Sequence, residues 1–349
     1  MSGGEVSTQR IPPFLTLGSA RSSIFGGPAV PPQPFAVDQH ASVSRETDSL
    51  KGPTVVDSID DESPIATQLA SEARRRERLI GRELPRPEKT RVFTVSNQKG
   101  GVGKTTTAVN IAAALATAGL NVLVIDIDPQ GNASTALGIE HHADVESIYD
   151  VLINDVALAD VVAACPDVEN LECAPATIHL AGAEIELVSL VAREQRLSRA
   201  IANYAKQREA DGKPRLDFIF IDCPPSLGLL TVNAFCAAGE VLIPIQCEYY
   251  ALEGLSQLLK NIEMIQKHLN ADLQVSTILL TMYDGRTNLA AQVAAEVREH
   301  FPQQVLDAVV PRSVRISEAP SYQQTVMTYD PSSTGALSYL EAAAEIAER

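Results

Sequence analysis

The sequence contains, at residues 99–106, the segment Lys99-Gly100-Gly101-Val102-Gly103-Lys104-Thr105-Thr106. A short apolar run, residues 92–95, precedes it and predicts a buried strand, and an alanine-rich run, residues 108–116, follows it and predicts a helix. A glycine-rich loop between a strand and a helix is the context that a phosphate-binding loop requires. Its glycines let the backbone turn N–H groups towards an anion, and the start of the helix adds further N–H groups.

Two side chains at the end of this loop carry its chemistry. Lys104 supplies a positive charge for the β- and γ-phosphates of ATP, and the Thr105 hydroxyl is suited to ligate Mg²⁺. The loop departs from the ordinary phosphate-binding pattern, because Gln98 stands where that pattern has glycine and a second lysine, Lys99, heads the loop. We assign residues 99–106 to ATP binding.

The two lysines form the deviant Walker A motif, which resembles the loop of ParA- and MinD-type ATPases and of their relatives, the nitrogenase iron proteins. In that family the leading lysine reaches the nucleotide that is bound by the partner subunit. The resemblance therefore implies that Lys99 and Lys104 both act in catalysis. It also implies that the ATP-bound protein is a homodimer with ATP between its subunits.

The composition is typical of a globular protein, with 45% hydrophobic and 21% charged residues in a chain of 349. No apolar run is long enough to predict a transmembrane helix, and the N-terminus lacks the layout of a signal peptide. The five cysteines form no Cys-x-x-Cys pair, which argues against a disulfide framework, a zinc site or an iron–sulfur carrier. The formal charge of −16 predicts no broad basic surface, so any contact with nucleic acid must come from a few arginines.

The first quarter of the chain differs from the rest. Residues 1–88 hold ten of the 21 prolines and show no sustained apolar period, which predicts a mostly disordered extension. Within it, Ser63 and Pro64 favour a helix over residues 63–82, because they are typical of helix caps and first turns. That helix is either a solvated surface helix or a docking or DNA-contacting arm. Its basic cluster consists of Arg74, Arg75, Arg76 and Arg78.

Residues 89–349 alternate between short apolar runs and helical segments, which predicts a single domain. Continuous apolar strands separated by helices predict an α/β fold with a parallel twisted sheet covered by helices on both faces, as in P-loop NTPases. We also predict one long helix from about Glu184 to Arg208. The predicted strands are residues 92–95, 121–126, 171–174, 218–222, 240–245 and 275–280.

Aspartates follow two of these strands, at the edge where parallel strands carry ligands. Residues 126–134, Asp-Ile-Asp-Pro-Gln-Gly-Asn-Ala-Ser, resemble switch I of ParA-type proteins, which implies that Asp128 is the hydrolysis residue and Asp126 a supporting carboxylate. Asp222 ends an apolar strand in the Walker B layout, and residues 223–228 resemble switch II. We predict that Mg²⁺ is held by Thr105 and, through water, by Asp126 and Asp222.

Two later segments, residues 280–288 and 310–315, resemble ParA-type chromosome-partition ATPases more than the wider superfamily. By that resemblance Pro311 and Ser313 contact the adenine of ATP, with Ser313 at a place where family members often have asparagine. Arg286 and Arg315 match the arginines by which such dimers bind double-stranded DNA without reading its sequence. Alternatively, either arginine is simply solvated or forms a surface ion pair, without a role in DNA binding.

These features favour a cytoplasmic, nucleoid-associated partition ATPase that binds DNA as an ATP-bound dimer and is released when a ParB-type centromere-binding protein stimulates hydrolysis. The alternative is a MinD-type spatial regulator, which uses a C-terminal basic amphipathic helix at the membrane. Here Glu341, Glu345 and Glu348 would be repelled by anionic lipid, so we expect no stable membrane association. A regulator without turnover would lack the carboxylates, but Asp128 and Asp222 are both present.

Overall fold

The computed structural model describes residues 64–79, 82–249 and 251–349. Of the extension predicted to be mostly disordered, residues 1–88, the part at residues 1–63, 80 and 81 lies outside the described residues. The strands in the described part are β1 Arg91–Val95, β2 Val122–Asp126, β3 Ala163–Ala164, β4 Leu171–Ala174, β5 Phe218–Asp222, β6 Glu240–Gln246, β7 Gln274–Tyr283 and β8 Val305–Pro311. They form one sheet in the order β3-β4-β2-β5-β1-β6-β7-β8. Every pair is parallel except β3 with β4, so the predicted parallel sheet is confirmed. Two strands that were not predicted form its edges, the short antiparallel β3 and the parallel β8.

Helices cover both faces of the sheet, as predicted. The helices are α1 Pro64–Leu79, α2 Lys104–Thr117, α3 Asn132–Ala136, α4 Ile148–Ile153, α5 Leu158–Val161, α6 Leu180–Leu187, α7 Arg196–Ala210, α8 Leu229–Ala237, α9 Ala251–His268, α10 Asn288–His300, α11 Val314–Glu318, α12 Val326–Tyr329 and α13 Thr334–Glu348. Two short 3₁₀ turns, Arg193–Gln195 and Ala319–Tyr322, complete the regular structure of the described residues.

The central strands bury alternate side chains on opposite faces of the sheet. Phe93, Phe218 and Phe220 belong to the core that packs against α2 and α13. Ile219 and Ile221 belong to the core on the other face, which α4 to α8 cover. Because successive side chains of a strand point to opposite faces, a sheet that is covered on both faces needs uninterrupted apolar runs. This accounts for the runs on which the fold prediction depends.

The register of the sheet brings three strand ends together. Asp222, the last residue of β5, lies directly opposite Val95 of β1 and Asp126 of β2. Neighbouring strands are about 4.8 Å apart, so the loop after β1 and the aspartates after β2 and β5 share one small region. This is the edge of the sheet at which parallel α/β proteins bind their ligands.

The prediction of one helix from Glu184 to Arg208 is wrong. The structure ends α6 at Leu187 and begins α7 at Arg196. Between them Ala192 has a φ of 51°, a left-handed conformation that a continuing helix cannot contain. The segment has no glycine or proline, so the sequence carries no ordinary signal for the break.

Helix α1, within the region where a helix was considered, packs against α13. Arg75 Nε donates to Glu341 Oε1 at 2.7 Å, and Arg75 Nη2 contacts the other carboxylate oxygen. Arg76 Nη2 donates to the carbonyl oxygen of Ser332 at 2.6 Å. Just after the helix, Arg82 pairs with Glu348. Of the interpretations left open for this helix, these contacts favour a docked helix, and the surface on which it docks belongs to the same chain.

Candidate nucleotide site

The phosphate loop joins β1 to α2 and has the backbone of an anion site. Gly101 and Gly103 have φ angles of 74° and 89°, which side-chain-bearing residues rarely adopt. Gly103 is the N-cap of α2, and no side chain caps the helix there. The first N–H groups of α2 are therefore available to an anion. The Thr281 hydroxyl of β7 donates to the carbonyl oxygen of Val102 at 2.8 Å and holds the loop in place.

The head of the loop is open and carries a lysine that is already paired. Apart from its two chain neighbours, no atom of the described residues lies within 4 Å of the position that a Cβ on Gly100 would take. Lys99 Nζ donates to Glu248 Oε2 at 2.7 Å, and the ammonium lowers the pKa of that carboxyl. The Lys99 side chain is 37% exposed. The pair is therefore a solvent-screened one, whose loss would cost about 1 kcal/mol or less.

Lys104, the first residue of α2, is buried among carboxylates. Burial lowers the pKa of its ammonium, and the negative charges of Asp222 and Asp128 oppose that change. A buried ammonium is tolerated when opposite charges surround it, because they offset its lost hydration. The surroundings of Lys104 thus suit a side chain that meets phosphate oxygens.

Asp222 is fully buried, and among the described residues no donor meets hydrogen-bond geometry with either carboxylate oxygen. Burial raises the pKa of this carboxyl well above its usual range, the charge of Asp126 raises it further, and the nearby Thr105 hydroxyl opposes the change. A carboxylate that is buried with so little hydrogen bonding is costly unless a cation neutralises it. Carboxylate and hydroxyl oxygens are the ligands that Mg²⁺ prefers, so Asp222 and Thr105 fit a magnesium site.

Asp126 holds together the turn that follows β2. Its Oδ1 accepts the backbone N–H of Asp128 at 3.1 Å. Its Oδ2 accepts the Ser134 backbone N–H at 2.9 Å and the Ser134 hydroxyl at 2.8 Å. Burial raises the pKa of Asp126 to about 6, although these donors lower it. With three donors from the chain, Asp126 has less free acceptor capacity for a metal than Asp222, and the water-mediated magnesium contact of Asp126 stays a prediction.

Asp128 lies within the same turn at the edge of the site. Its side chain accepts the Gln130 N–H at 3.0 Å, and its carbonyl oxygen accepts the Gly131 N–H at 2.9 Å. The residue is 8% exposed, so its carboxylate has limited access to solvent. A carboxylate fixed in this way can orient a water molecule.

Three further residues of the site escaped sequence reasoning: Ser134, which fixes Asp126, Glu248, which holds Lys99, and Glu184. The Glu184 carboxylate fills the space beside Gly228, where a Cβ would lie 1.6 Å from its Oε1. Ser134 stands inside the switch I resemblance and could have been found as a donor near two aspartates. Glu248 and Glu184 come from distant segments and carry no local signal.

The residues predicted to contact adenine lie at the same edge of the sheet. Pro311 ends β8, and Ser313 is the N-cap of α11, where its side chain makes no capping hydrogen bond. The Ser313 hydroxyl is thus not committed to the helix. The contact of these two residues with adenine stays a prediction.

The two predicted DNA-binding arginines follow neighbouring strands, because β7 and β8 pair in parallel up to Tyr283 and Pro311. Arg286 donates two hydrogen bonds of 2.8 Å to Asp284, and this guanidinium holds the pKa of the Asp284 carboxyl at about 2. Arg315 forms two looser ion pairs, both with N–O distances of 3.4 Å, with Glu318 and Asp330. The alternative role considered above, a surface ion pair, is therefore present at both positions. DNA phosphates would have to compete with these carboxylates.

A glycine loop between strand and helix, a buried lysine and a Walker B aspartate define a P-loop nucleotide-binding protein. The family model described as an AAA domain matches residues 90–275. Over 258 residues the chain is 55% identical to the sporulation initiation inhibitor protein Soj of Bacillus subtilis (strain 168), covering 74% of this chain and 98% of that protein. Over 259 residues it is 49% identical to the chromosome partitioning protein ParA of Myxococcus xanthus (strain DK1622), and the match covers 74% of this chain and 88% of that protein. The chain belongs to the ParA/Soj family of chromosome-partitioning ATPases.

A solved structure supports the same fold. The chain resembles cobyrinic acid a,c-diamide synthase from Mycobacterium smegmatis, crystallised with bound ADP and magnesium, with 37% identity and a TM-score of 0.61. The likeness covers 73% of this chain and 92% of that one. Within the described residues, no helix combines the length and the apolar character needed to cross a membrane.

Proposed function

We propose that the protein is an ATP-dependent DNA-segregation ATPase. ATP and Mg²⁺ bind at the phosphate loop and drive formation of a homodimer, the dimer binds double-stranded DNA nonspecifically, and a ParB-type partner stimulates hydrolysis and releases it. One observation carries the proposal: Lys104, Asp128 and the buried carboxylate of Asp222 meet at the strand ends beside a deviant Walker A loop. Membership of the ParA/Soj family supports it.

The loop residues bind and orient the triphosphate. The N–H groups at the start of α2 meet phosphate oxygens, and Lys104 adds a charge that the surrounding carboxylates keep on the ammonium. Bound Mg²⁺ would neutralise phosphate charge as a Lewis acid, held by Thr105 and by Asp222 through water. The homologous synthase that binds ADP and magnesium supports this cofactor pair.

Asp128 orients the attacking water in this proposal. The turn that carries it is tied to Asp126 on one side and to the helix start at Ser134 on the other. These bonds fix the conformation of the turn that carries the Asp128 carboxylate. Because phosphoryl transfer depends on positioning and charge stabilisation, a fixed turn would help Asp128 to orient the water.

Dimerisation uses the open head of the loop. The empty space beside Gly100 admits a second loop, and Lys99 would leave Glu248 for the phosphates of the partner's nucleotide. The exchange is favourable because Lys99 gives up a partly exposed ion pair for a more highly charged anion. ATP, which places a γ-phosphate there, is thus the switch for the dimer.

DNA binding depends on the dimer, because dimerisation doubles the number of arginines that can contact one duplex. Each subunit contributes Arg286 and Arg315, so one duplex meets four arginines that must leave their carboxylate partners. Each neutralised phosphate contributes about −0.9 to the slope of log affinity against log salt, which predicts a slope of roughly −3 to −4. A monomer has half of these contacts and correspondingly little affinity.

The packing of α13 argues against the MinD-type alternative. Its apolar side chains, such as Leu337, Tyr339 and Ile346, are buried in the core and leave no apolar face for lipid. Glu345 accepts the backbone N–H groups of Asp307 and Ala308 at 2.8 and 2.7 Å. The helix is therefore a core element of the domain.

A co-sedimentation experiment tests the proposed function. The protein is spun with duplex DNA, and separately with anionic lipid vesicles, in ATP, in ADP and without nucleotide. We expect ATP-dependent pelleting with DNA only. The double variant Arg286→Ala/Arg315→Ala should lose it, and the matched control Arg199→Ala, an exposed arginine of α7, should not. Pelleting with vesicles instead of DNA would overturn the proposal.

A further inference from the structure

Helix α6 is apolar on two opposite faces. Its inner face, formed by Leu180, Ala183 and Leu187, is completely buried in the core. A helix at the surface of a globular domain normally turns a polar face to solvent. The outer face of α6 departs from this rule.

The outer face carries Ile178, Ala181, Ile185 and Val188, which we call the α6 seam. Ile178, Ile185 and Val188 are 61%, 79% and 59% exposed, and Ala181 is exposed as well. The backbone is helical at the N-cap His179 and at the C-cap Val188, and the Ala181 N–H donates to the Ile178 carbonyl oxygen at 3.0 Å, so the chain already turns at Ile178. Their spacing of three, four and three residues is the spacing of a helix-packing seam.

The charged residues between the seam positions are turned away from it. Glu186 accepts a hydrogen bond from the Tyr149 hydroxyl at 3.1 Å. Glu184 reaches the backbone of Gly228, and its Oε1 is buried. The seam itself therefore carries no charge, so two copies of it can approach each other without repulsion between these glutamates.

The seam adjoins the nucleotide site. Gly228, which Glu184 contacts, belongs to the loop that follows Asp222, and the preceding residue Leu227 is 41% exposed. Helix α6 thus lies beside the loop that follows Asp222, at the edge of the sheet where the phosphate loop lies. That edge is the one at which two subunits would share ATP.

We propose that the α6 seam packs against the α6 seam of a second copy of this chain in the ATP-bound dimer. The inference rests on the dimer of the proposed function and names a contact within it. An interface with two-fold symmetry brings the same patch of both subunits together, which suits an uncharged seam. A stable interface needs about 800 Å² from each partner, more than one short helix face supplies. The two seams therefore pair only when the contact around the shared nucleotide supplies the remaining interface area.

Charge substitution at Ile185 tests this contact, since the side chain is 79% exposed and tolerates a polar group in the monomer. Dimerisation with a nonhydrolysable ATP analogue is measured by sedimentation equilibrium. Ile185→Lys and Ile185→Glu should each raise the dimer dissociation constant roughly a hundredfold, because every dimer loses two buried isoleucines. An equal mixture of the two variants should recover most of the affinity. The matched control is Met264→Lys, at a 62% exposed position of α9.

The outcomes separate this inference from the proposed function. Binding of a fluorescent ATP analogue to monomeric Ile185 variants should equal that of wild type, which shows that they fold. If wild type dimerises with the analogue and both Ile185 variants do so equally well, the seam contact is wrong while the dimer stands. If the variants dimerise normally but lose stimulation by a ParB-type protein, the seam serves that protein and the inference is overturned. If wild type itself does not dimerise, both fail.

Discussion

Replacing Ser134 by alanine removes two hydrogen bonds at the centre of the site. The hydroxyl donates to Asp126 Oδ2 at 2.8 Å and accepts the Ala176 N–H at 3.1 Å, and Ser134 is fully buried. A hydrogen bond to a charged group contributes about 1.5–3 kcal/mol, and an orphaned buried N–H costs about 1–3 kcal/mol. Asp126 keeps the N–H groups of Ser134 and Asp128, so we take the lower part of the sum, about 3 kcal/mol.

Thermal and urea unfolding without nucleotide measure this loss. For a domain of this size, about 3 kcal/mol corresponds to a fall in Tm of roughly 6–12 °C. The control is Ser189→Ala, since that hydroxyl is exposed and donates only to the Glu186 carbonyl oxygen. We also expect kcat to fall, because the turn that carries Asp128 loses one of its ties. If Ser134→Ala and Ser189→Ala unfold within about 0.5 kcal/mol of each other, the assigned role of Ser134 is wrong.

Three further predictions address nucleotide, DNA and the docked helix. Lys104→Gln should abolish tight ATP binding, whereas Asp128→Ala should bind ATP and dimerise without hydrolysing it; steady-state turnover at the wild-type rate in Asp128→Ala would remove that residue from catalysis. In the Asp128→Ala protein with ATP, Arg315→Ala should lower the salt slope of duplex binding by about 2, equally on unrelated sequences, and an unchanged slope would exclude it from the DNA surface. Arg75→Ala should lower the free energy of unfolding by about 1 kcal/mol through loss of the Glu341 pair. Arg78→Ala should not, because Arg78 Nε bonds only to the Arg74 carbonyl oxygen of its own helix.

The parts of the molecule that could be predicted are those whose cause is local in the sequence. Apolar runs such as residues 218–221 predict strands buried on both faces, and a glycine loop between strand and helix predicts the phosphate site. The aspartates after β2 and β5 follow from the rule that ligands meet at the carboxyl ends of parallel strands. The structure brings Asp126 and Asp222 into direct register, in agreement with that rule.

The parts that escaped prediction depend on contacts between distant segments or on an unmarked break. Lys99 and Glu248 pair across 149 positions of sequence, and no local pattern identifies such a partner. The break at Ala192 occurs without glycine or proline, so helical periodicity alone continues through it. The ion pairs of Arg286 and Arg315 were weighed only as an alternative, because exposed arginines find carboxylates at little cost.

Sedimentation of the Asp128→Ala protein in saturating ATP and Mg²⁺ tests the central claim, that ATP converts a monomer into a dimer, most directly. We predict twice the monomer mass of 37.4 kDa with ATP and the monomer mass with ADP. Adding Gly100→Val should keep the ATP-bound protein monomeric, because a Cβ there has no described atom within 4 Å beyond its chain neighbours, and the side chain would block the approach of a second loop. A monomer mass for Asp128→Ala with ATP bound, or a normal dimer from the Gly100→Val protein, would contradict the account.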